Sequence, residues 1–168
     1  SCKQHYWQIL PLTTTSYGDS PYQSFSARAG NPNFIDFAEL IEAGYLEQRD
    51  IDGVYLGSDP SNVDYGAIFG GRRQILDRAA ERFAADKPAD FDDFIQVNED
   101  WLIPYCEFMT VKEECGLKAF WEWPAELRTR GEASAKVCAD HPARMLYHQM
   151  TQYFFDRQWS RLKAYANE

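Results

Sequence analysis

Three histidines, four cysteines and 26 carboxylates are the side chains through which this sequence could do metal, redox or acid–base chemistry. His5, His141 and His148 stand too far apart for the i, i+3 or i, i+4 pairing by which one helix presents two ligands, and no acidic residue completes a set with them. They are expected to be structural. Cys2, Cys106, Cys115 and Cys138 form no Cys-x-x-Cys and are expected to be reduced, partly buried thiols. Asp50-Ile51-Asp52-Gly53 lacks both the third acidic position and the later Glu of a calcium loop. Gly70-Gly71 precedes Arg72-Arg73, not Lys-Ser or Lys-Thr, and lies within a helical pattern, so no phosphate cradle is expected. Ser160-Arg161-Leu162-Lys163 matches Ser-x-x-Lys, but Leu162 belongs to an apolar stripe and neither companion motif is present. No metal and no cofactor is expected.

Most carboxylates fall at helix starts or on solvent faces; Asp90, Asp92 and Asp93 read as first-turn residues favoured by the helix dipole. Asp19 is different. It lies in Tyr17-Gly18-Asp19-Ser20-Pro21-Tyr22-Gln23-Ser24, after a predicted strand, where aromatic faces alternate with short hydrogen-bonding side chains on a Gly- and Pro-shaped backbone. Sugars call for that mixture, because their C–H faces pack on rings and their hydroxyls need placed donors and acceptors. A tight turn with an Asx-type bond from Asp19 and two core tyrosines fits the same residues.

The totals narrow the classes. The chain has 168 residues, 45% hydrophobic and 26% charged, which suits one globular domain. Its net charge of −9 argues against nucleic acid and anionic membranes as partners, since both need clustered Lys and Arg. No apolar run reaches the roughly 18 residues of a membrane span, and residues 1–6 lack a signal-peptide profile, which favours the cytoplasm. Both ends read like cuts in a longer protein.

The elements that must position these residues follow from periodicity and punctuation. Residues 6–10 predict one buried strand, stopped by Pro11, and 13–33 a long irregular loop. Asp36 with Glu39, the staple pair Ile35 and Leu40, and Gly44 predict a helix over 36–44. Ile68, Ile75, Leu76, Ala79 and Phe83 predict an amphipathic helix over 64–85. Asp90 predicts a helix start and Pro104 a second, with a break near Trp101. A short helix ending at Gly131 and a long one after Asp140, striped by Phe155, Trp159, Leu162 and Ala166 and widened by Tyr147, Tyr153 and Phe154, complete the chain. The sum is one strand and five or six helices, and a single strand makes no sheet by itself.

The loop carries a resemblance. Trp7-Gln8-Ile9-Leu10-Pro11-Leu12, Ser16 through Ala27, and Ala29-Gly30-Asn31-Pro32 closely resemble the 4-α-glucanotransferases, or amylomaltases, of glycoside hydrolase family 77. Val63-Asp64-Tyr65-Gly66, Trp123-Pro124-Glu126-Leu127 and the closing Phe155-Arg157-Gln158-Trp159-Leu162-Lys163-Ala164-Tyr165-Ala166-Asn167 continue the likeness along essentially the whole chain. Thr14 departs from the Pro of many members, and Ser16 from their Gly. The resemblance implies a (β/α)8 barrel parent of the α/β class. This chain would supply an early barrel strand with its glucan-site loop (1–35), a mainly α-helical insertion subdomain (36–138) and a helix returning to the barrel (139–168).

It also implies retaining transfer of α-1,4-glucan segments from a maltooligosaccharide donor to an acceptor's 4-hydroxyl. None of the motifs that carry the family's nucleophile, acid/base and third carboxylate occurs here, so no catalytic residue is assigned. By the family's pattern, Tyr22 resembles the tyrosine that packs on the sugar beside the nucleophile, with Ser20, Gln23 and Asp19 in the same motif. Tyr17 and Phe69 resemble a second glucan platform. The implied partners are the glucan and the remainder of the parent barrel, with self-association of the uncovered face expected. A self-sufficient helical α-glucan-binding module without catalysis is the alternative.

Overall fold

The computed structural model describes residues 6–59 and 61–168, and His5 and Cys2 lie outside them. Six α-helices order the described chain: α1 (Phe37–Glu42), α2 (Gln48–Ile51), α3 (Tyr65–Ala85), α4 (Phe91–Glu114), α5 (Glu132–Asp140) and α6 (Pro142–Asn167). The three long helices, α3, α4 and α6, pack together, with α5 against α4 and α6. The core between them is Ile35, Leu40, Leu46, Ile75, Leu76, Ala79, Phe83, Phe91, Met150, Tyr153 and Phe154. Its aromatics meet edge to face: Phe83 lies 4.8 Å from Phe91 and 5.7 Å from Phe154, the offset that ring quadrupoles favour. No described helix is long and apolar enough to cross a membrane.

Helix starts follow the sequence closely at α1 and α3. Asp36 Oδ1 accepts the Ala38 N–H, Asp64 Oδ1 accepts that of Ala67, and the staple pair Ile35 and Leu40 is buried. Gly44 has φ +81°, the left-handed stop expected of it. The expected reciprocal half of the α1 box is absent, because Glu39 instead pairs with Arg161 of α6. Gly71 also finds its reason: a Cβ there would come within 2.6 Å of Leu56 and 2.8 Å of the Tyr55 carbonyl, so the glycine admits the 54–56 segment against α3.

Four expectations are corrected. The strand over 6–10 is not formed: those residues carry no regular structure, and Trp7 and Leu10 are largely exposed. A strand needs a ladder, and the one antiparallel bridge among the described residues lies further on, between Thr13 and Gly30. The break near Trp101 is also absent, since α4 runs unbroken through Pro104. Losing one N–H bond is outweighed there by the buried Leu102, Tyr105 and Cys106 on either side. Gly131 ends no helix; it is the N-cap of α5, whose Ser134 Oγ accepts the Gly131 N–H at 2.9 Å. Finally, of the α6 stripe Phe155 and Trp159 are half-buried and Leu162 and Ala166 exposed; the buried face is formed by the flanking Tyr147, Tyr153 and Phe154, as expected, with Met150.

An ionic knot joins the long helices. Arg144 of α6 donates to Glu113 of α4 at 2.7 and 3.1 Å and to Asp77 of α3 at 2.5 Å, and Arg73 of α3 reaches Glu113 at 2.9 Å. Burial pushes the Glu113 carboxyl up, but His148, 3.2 Å away, and Arg144 outweigh it and hold it at about 2. Burial likewise pushes the His148 imidazole below its usual range, against the pull of Glu113. His148 is only 3% exposed at this junction.

Candidate functional site

The 13–30 loop is closed at a neck and held on the helices at three places. At the neck, Thr14 N–H donates to the Ala29 carbonyl at 3.2 Å and Asn31 N–H to that of Leu12 at 2.8 Å. Gln152, buried in the middle of α6, clamps Gly30 from both sides: its Oε1 accepts the Gly30 N–H at 2.7 Å and its Nε2 donates to the Gly30 carbonyl at 3.0 Å. The Phe155 ring then covers Gly30 so closely that a Cβ would sit 2.1 Å from it. Six residues on, Gln158 grips the Asp36 N–H and carbonyl in the same way, at 2.7 and 3.1 Å. The second hold is Arg28, which pairs with Asp100 of α4 at 2.8 Å and lies 5.5 Å over the Trp101 ring.

The third hold is aromatic. Phe25 packs 6.0 Å from Phe108, which lies 5.2 Å from Trp123. Lys112, only 8% exposed, places its Nζ 4.8 Å from the Phe25 ring centre while donating to the Leu117 and Lys118 carbonyls at 3.1 and 2.9 Å. Burial pushes its ammonium pKa down. The Lys118 carbonyl also accepts the Trp123 indole N–H at 3.1 Å, so the end of α4 and the 118–123 segment close around one cation.

Between these holds the tip of the loop carries the residues singled out by sequence. Tyr17–Asp19 is a 3-10 turn in which Gly18 and Asp19 take the left-handed region, at φ +77° and +53°. Asp is one of the few side chains that tolerates it. Ser20 Oγ accepts the Tyr22 N–H at 3.3 Å and the Ser20 carbonyl accepts the Gln23 N–H at 3.1 Å, which brings Ser20, Tyr22 and Gln23 onto one turn. Tyr22 is 74% exposed, so its ring lies outside the core. Phe69 stands apart on α3, 55% exposed, in company with exposed Tyr65. Thr14 uses two groups that a proline would lack: its N–H at the neck and its hydroxyl, 3.1 Å from Ser24 Oγ.

Sequence reasoning missed Gln152, Arg28, Phe25 and Lys112. A faint signal existed for Gln152, an amide placed between the core residues Met150 and Tyr153 of α6. A second feature flanks the loop: an open groove of about 460 Å³ lined by Trp7, Ile9, Leu12, Phe34, Trp159 and Leu162 among others.

The site is thus a folded loop fixed on a helical bundle, presenting the Tyr22 ring beside a hydroxyl-bearing turn. The comparisons place it more narrowly. The family model described as 4-alpha-glucanotransferase matches residues 1–168, and the chain belongs to that family. It is 50% identical to a 4-alpha-glucanotransferase of Streptococcus pneumoniae serotype 4, over 99% of this chain and 34% of that protein. A Thermus thermophilus 4-alpha-glucanotransferase is 39% identical over 96% of this chain and 32% of its own length. Among solved structures, an amylomaltase from Streptococcus agalactiae in complex with acarbose superposes with a TM-score of 0.88 at 45% identity, over 96% of this chain and 33% of that one. The chain thus spans about a third of the length of the relatives it matches.

Proposed function

We propose that this chain is the substrate-binding part of a cytoplasmic 4-α-glucanotransferase. It carries the glucan-site loop on 1–35, a helical insertion on 36–138 and a helix returning to the barrel on 139–168. Its reaction is the retaining double displacement: a carboxylate attacks the anomeric carbon of an α-1,4-glucan, the glycosidic bond breaks and the leaving 4-oxygen takes the acid's proton. The 4-hydroxyl of a second glucan, giving its proton back to that group, then takes water's place in displacing the carboxylate. Transfer prevails over hydrolysis when the acceptor is held and water excluded, and that is the task of aromatic loop residues. Tyr22 stacks on the sugar next to the reaction centre, while Ser20, Gln23 and Asp19 serve the adjoining hydroxyls. Tyr17 and Phe69 form a platform further along the glucan, where Phe keeps a stacking face without a hydroxyl. The nucleophile and the acid/base come from residues other than these. The groove beside Trp7 and Trp159 is the face on which the rest of the barrel packs.

The observation that supports this reading best is Tyr22 exposed at the tip of a loop fixed on three sides. Titrating the isotope-labelled chain with maltoheptaose is expected to shift the Tyr22 ring signals, and Tyr22→Ala to weaken binding about tenfold, the loss of one stacked ring. The same chain incubated with maltotriose is expected to release no glucose. An unmoved Tyr22 would remove the substrate-binding role, and glucose release would show that carboxylates within this chain are catalytic.

A further inference from the structure

We infer that Lys112 and Phe25 form a positioning device that sets the glucan loop from the helical subdomain: the Lys112 ammonium holds the Phe25 ring, and with it the turn that presents Tyr22. The inference rests on the glucan-binding reading of that loop. Lys112 is buried without a carboxylate partner among the described residues. Two of its three N–H groups are taken by the Leu117 and Lys118 carbonyls, which the left-handed residues Gly116 and Leu117, at φ +68° and +60°, turn back toward α4. What remains of the cation is satisfied by the face of Phe25, within the range at which a ring quadrupole attracts an ammonium.

A lysine spent only on ending a helix would sit at the surface. This one spans from the end of α4 to the loop three residues after Tyr22, and Phe108 and Trp123 wall the contact on the far side. Phe25 and Tyr22 each sit in a locally bonded turn, and one peptide link, Gln23–Ser24, joins the two. Ser24 Oγ donates to the Ser26 carbonyl at 2.7 Å and accepts the Ser26 N–H at 3.2 Å, and Gln23 is bonded to Ser20. On this inference a displacement of Phe25 reaches Tyr22 through that single link between two stiffened turns. Lys112 is a positioning residue that touches no sugar.

The test compares Phe25→Leu, which keeps apolar bulk but loses the ring face, Phe25→Tyr, which keeps the face, and Lys112→Met, which keeps the stem but loses the cation. Each full chain is titrated with maltoheptaose, its thermal unfolding is recorded, and amide exchange is followed over 20–26. Phe25→Leu and Lys112→Met are expected to bind about threefold to tenfold more weakly and to exchange faster at 20–26, the double variant being no worse than the weaker single one. Phe25→Tyr is expected to bind like the unaltered chain. Phe25→Leu binding within twofold of that chain, with unchanged exchange, overturns the inference, and so do additive losses in the double variant. Should Lys112→Met fail to fold, the Leu and Tyr variants decide. Should the unaltered chain bind no maltoheptaose, the glucan reading fails, and the exchange rates alone decide whether the device holds the loop.

Discussion

Gly30 shows how closely single residues are specified where the loop meets the helices. Its N–H and carbonyl are both taken by Gln152, and its missing side chain is the space that the Phe155 ring occupies. Gly30→Ala is expected to cost about 1–3 kcal/mol, the penalty of forcing a methyl into a closed contact, read as a lower urea midpoint with an unchanged slope. A midpoint equal to that of the parent chain would show that Phe155 swings away freely. The turn at the tip of the loop was legible in sequence because Ser20, Tyr22 and Gln23 bond to one another locally, through the Ser20 hydroxyl and carbonyl. Lys112 and Gln152 were not. A lone polar residue in a helix reads as solvent-facing until the fold shows that a loop lies over it, and nothing local distinguishes Lys112 from the other lysines of the chain.

At the scale of elements, local chemistry decided some boundaries and long-range packing decided others. The start of α1 is written in Asp36, Ile35 and Leu40, all of which contact their near neighbours, so the sequence reading and the structure coincide. Gly131 carries no such direction, because a glycine suits either the end of one helix or the start of the next, and it is Ser134 that makes it a start. Pro104 was read as a helix opening on its intrinsic preference, yet α4 continues through it because the faces before and after are both buried. That continuity is gained against the proline. Pro104→Ala, which restores an N–H toward the Asp100 carbonyl one turn earlier, is expected to raise stability by about 1–2 kcal/mol. A lower urea midpoint for this variant would mean that the proline ring itself is needed in the packing. The strand over 6–10 failed for the opposite reason, since a strand's stability lies wholly in partners that are not among the described residues.

For the molecule as a whole, the Arg144, Glu113, Asp77 and Arg73 knot ties α3, α4 and α6 into one cooperative unit that depends on proton concentration. Asp50 is a second such point: the Arg82 guanidinium, 2.5 Å away, and the Glu47 N–H hold its carboxyl at about 2. Carboxyls lowered in the folded chain make the unfolded chain the stronger proton binder. Their stabilisation is therefore complete above about pH 4.5 and is lost as acid approaches pH 2. His148 acts in the same sense: its unfolded imidazole takes a proton below about pH 6.5 while the buried one resists, so the first loss starts there. Urea midpoints are expected to stay level above pH 7, decline from about 6.5 and fall steeply below 4.5; a level course down to pH 4 would contradict the knot.

The two glutamine clamps have a consequence for chain length. Gln152 and Gln158 stand six positions apart on α6, a rise of about 9 Å, and they grip Gly30 and Asp36, likewise six apart. The helix thus acts as a gauge: one residue inserted or deleted between 31 and 35 can satisfy one clamp or the other, never both. Upstream of Gly30 the loop is held at separate points instead of by a matched pair, so a change of length at its tip, between 17 and 22, leaves both clamps in register.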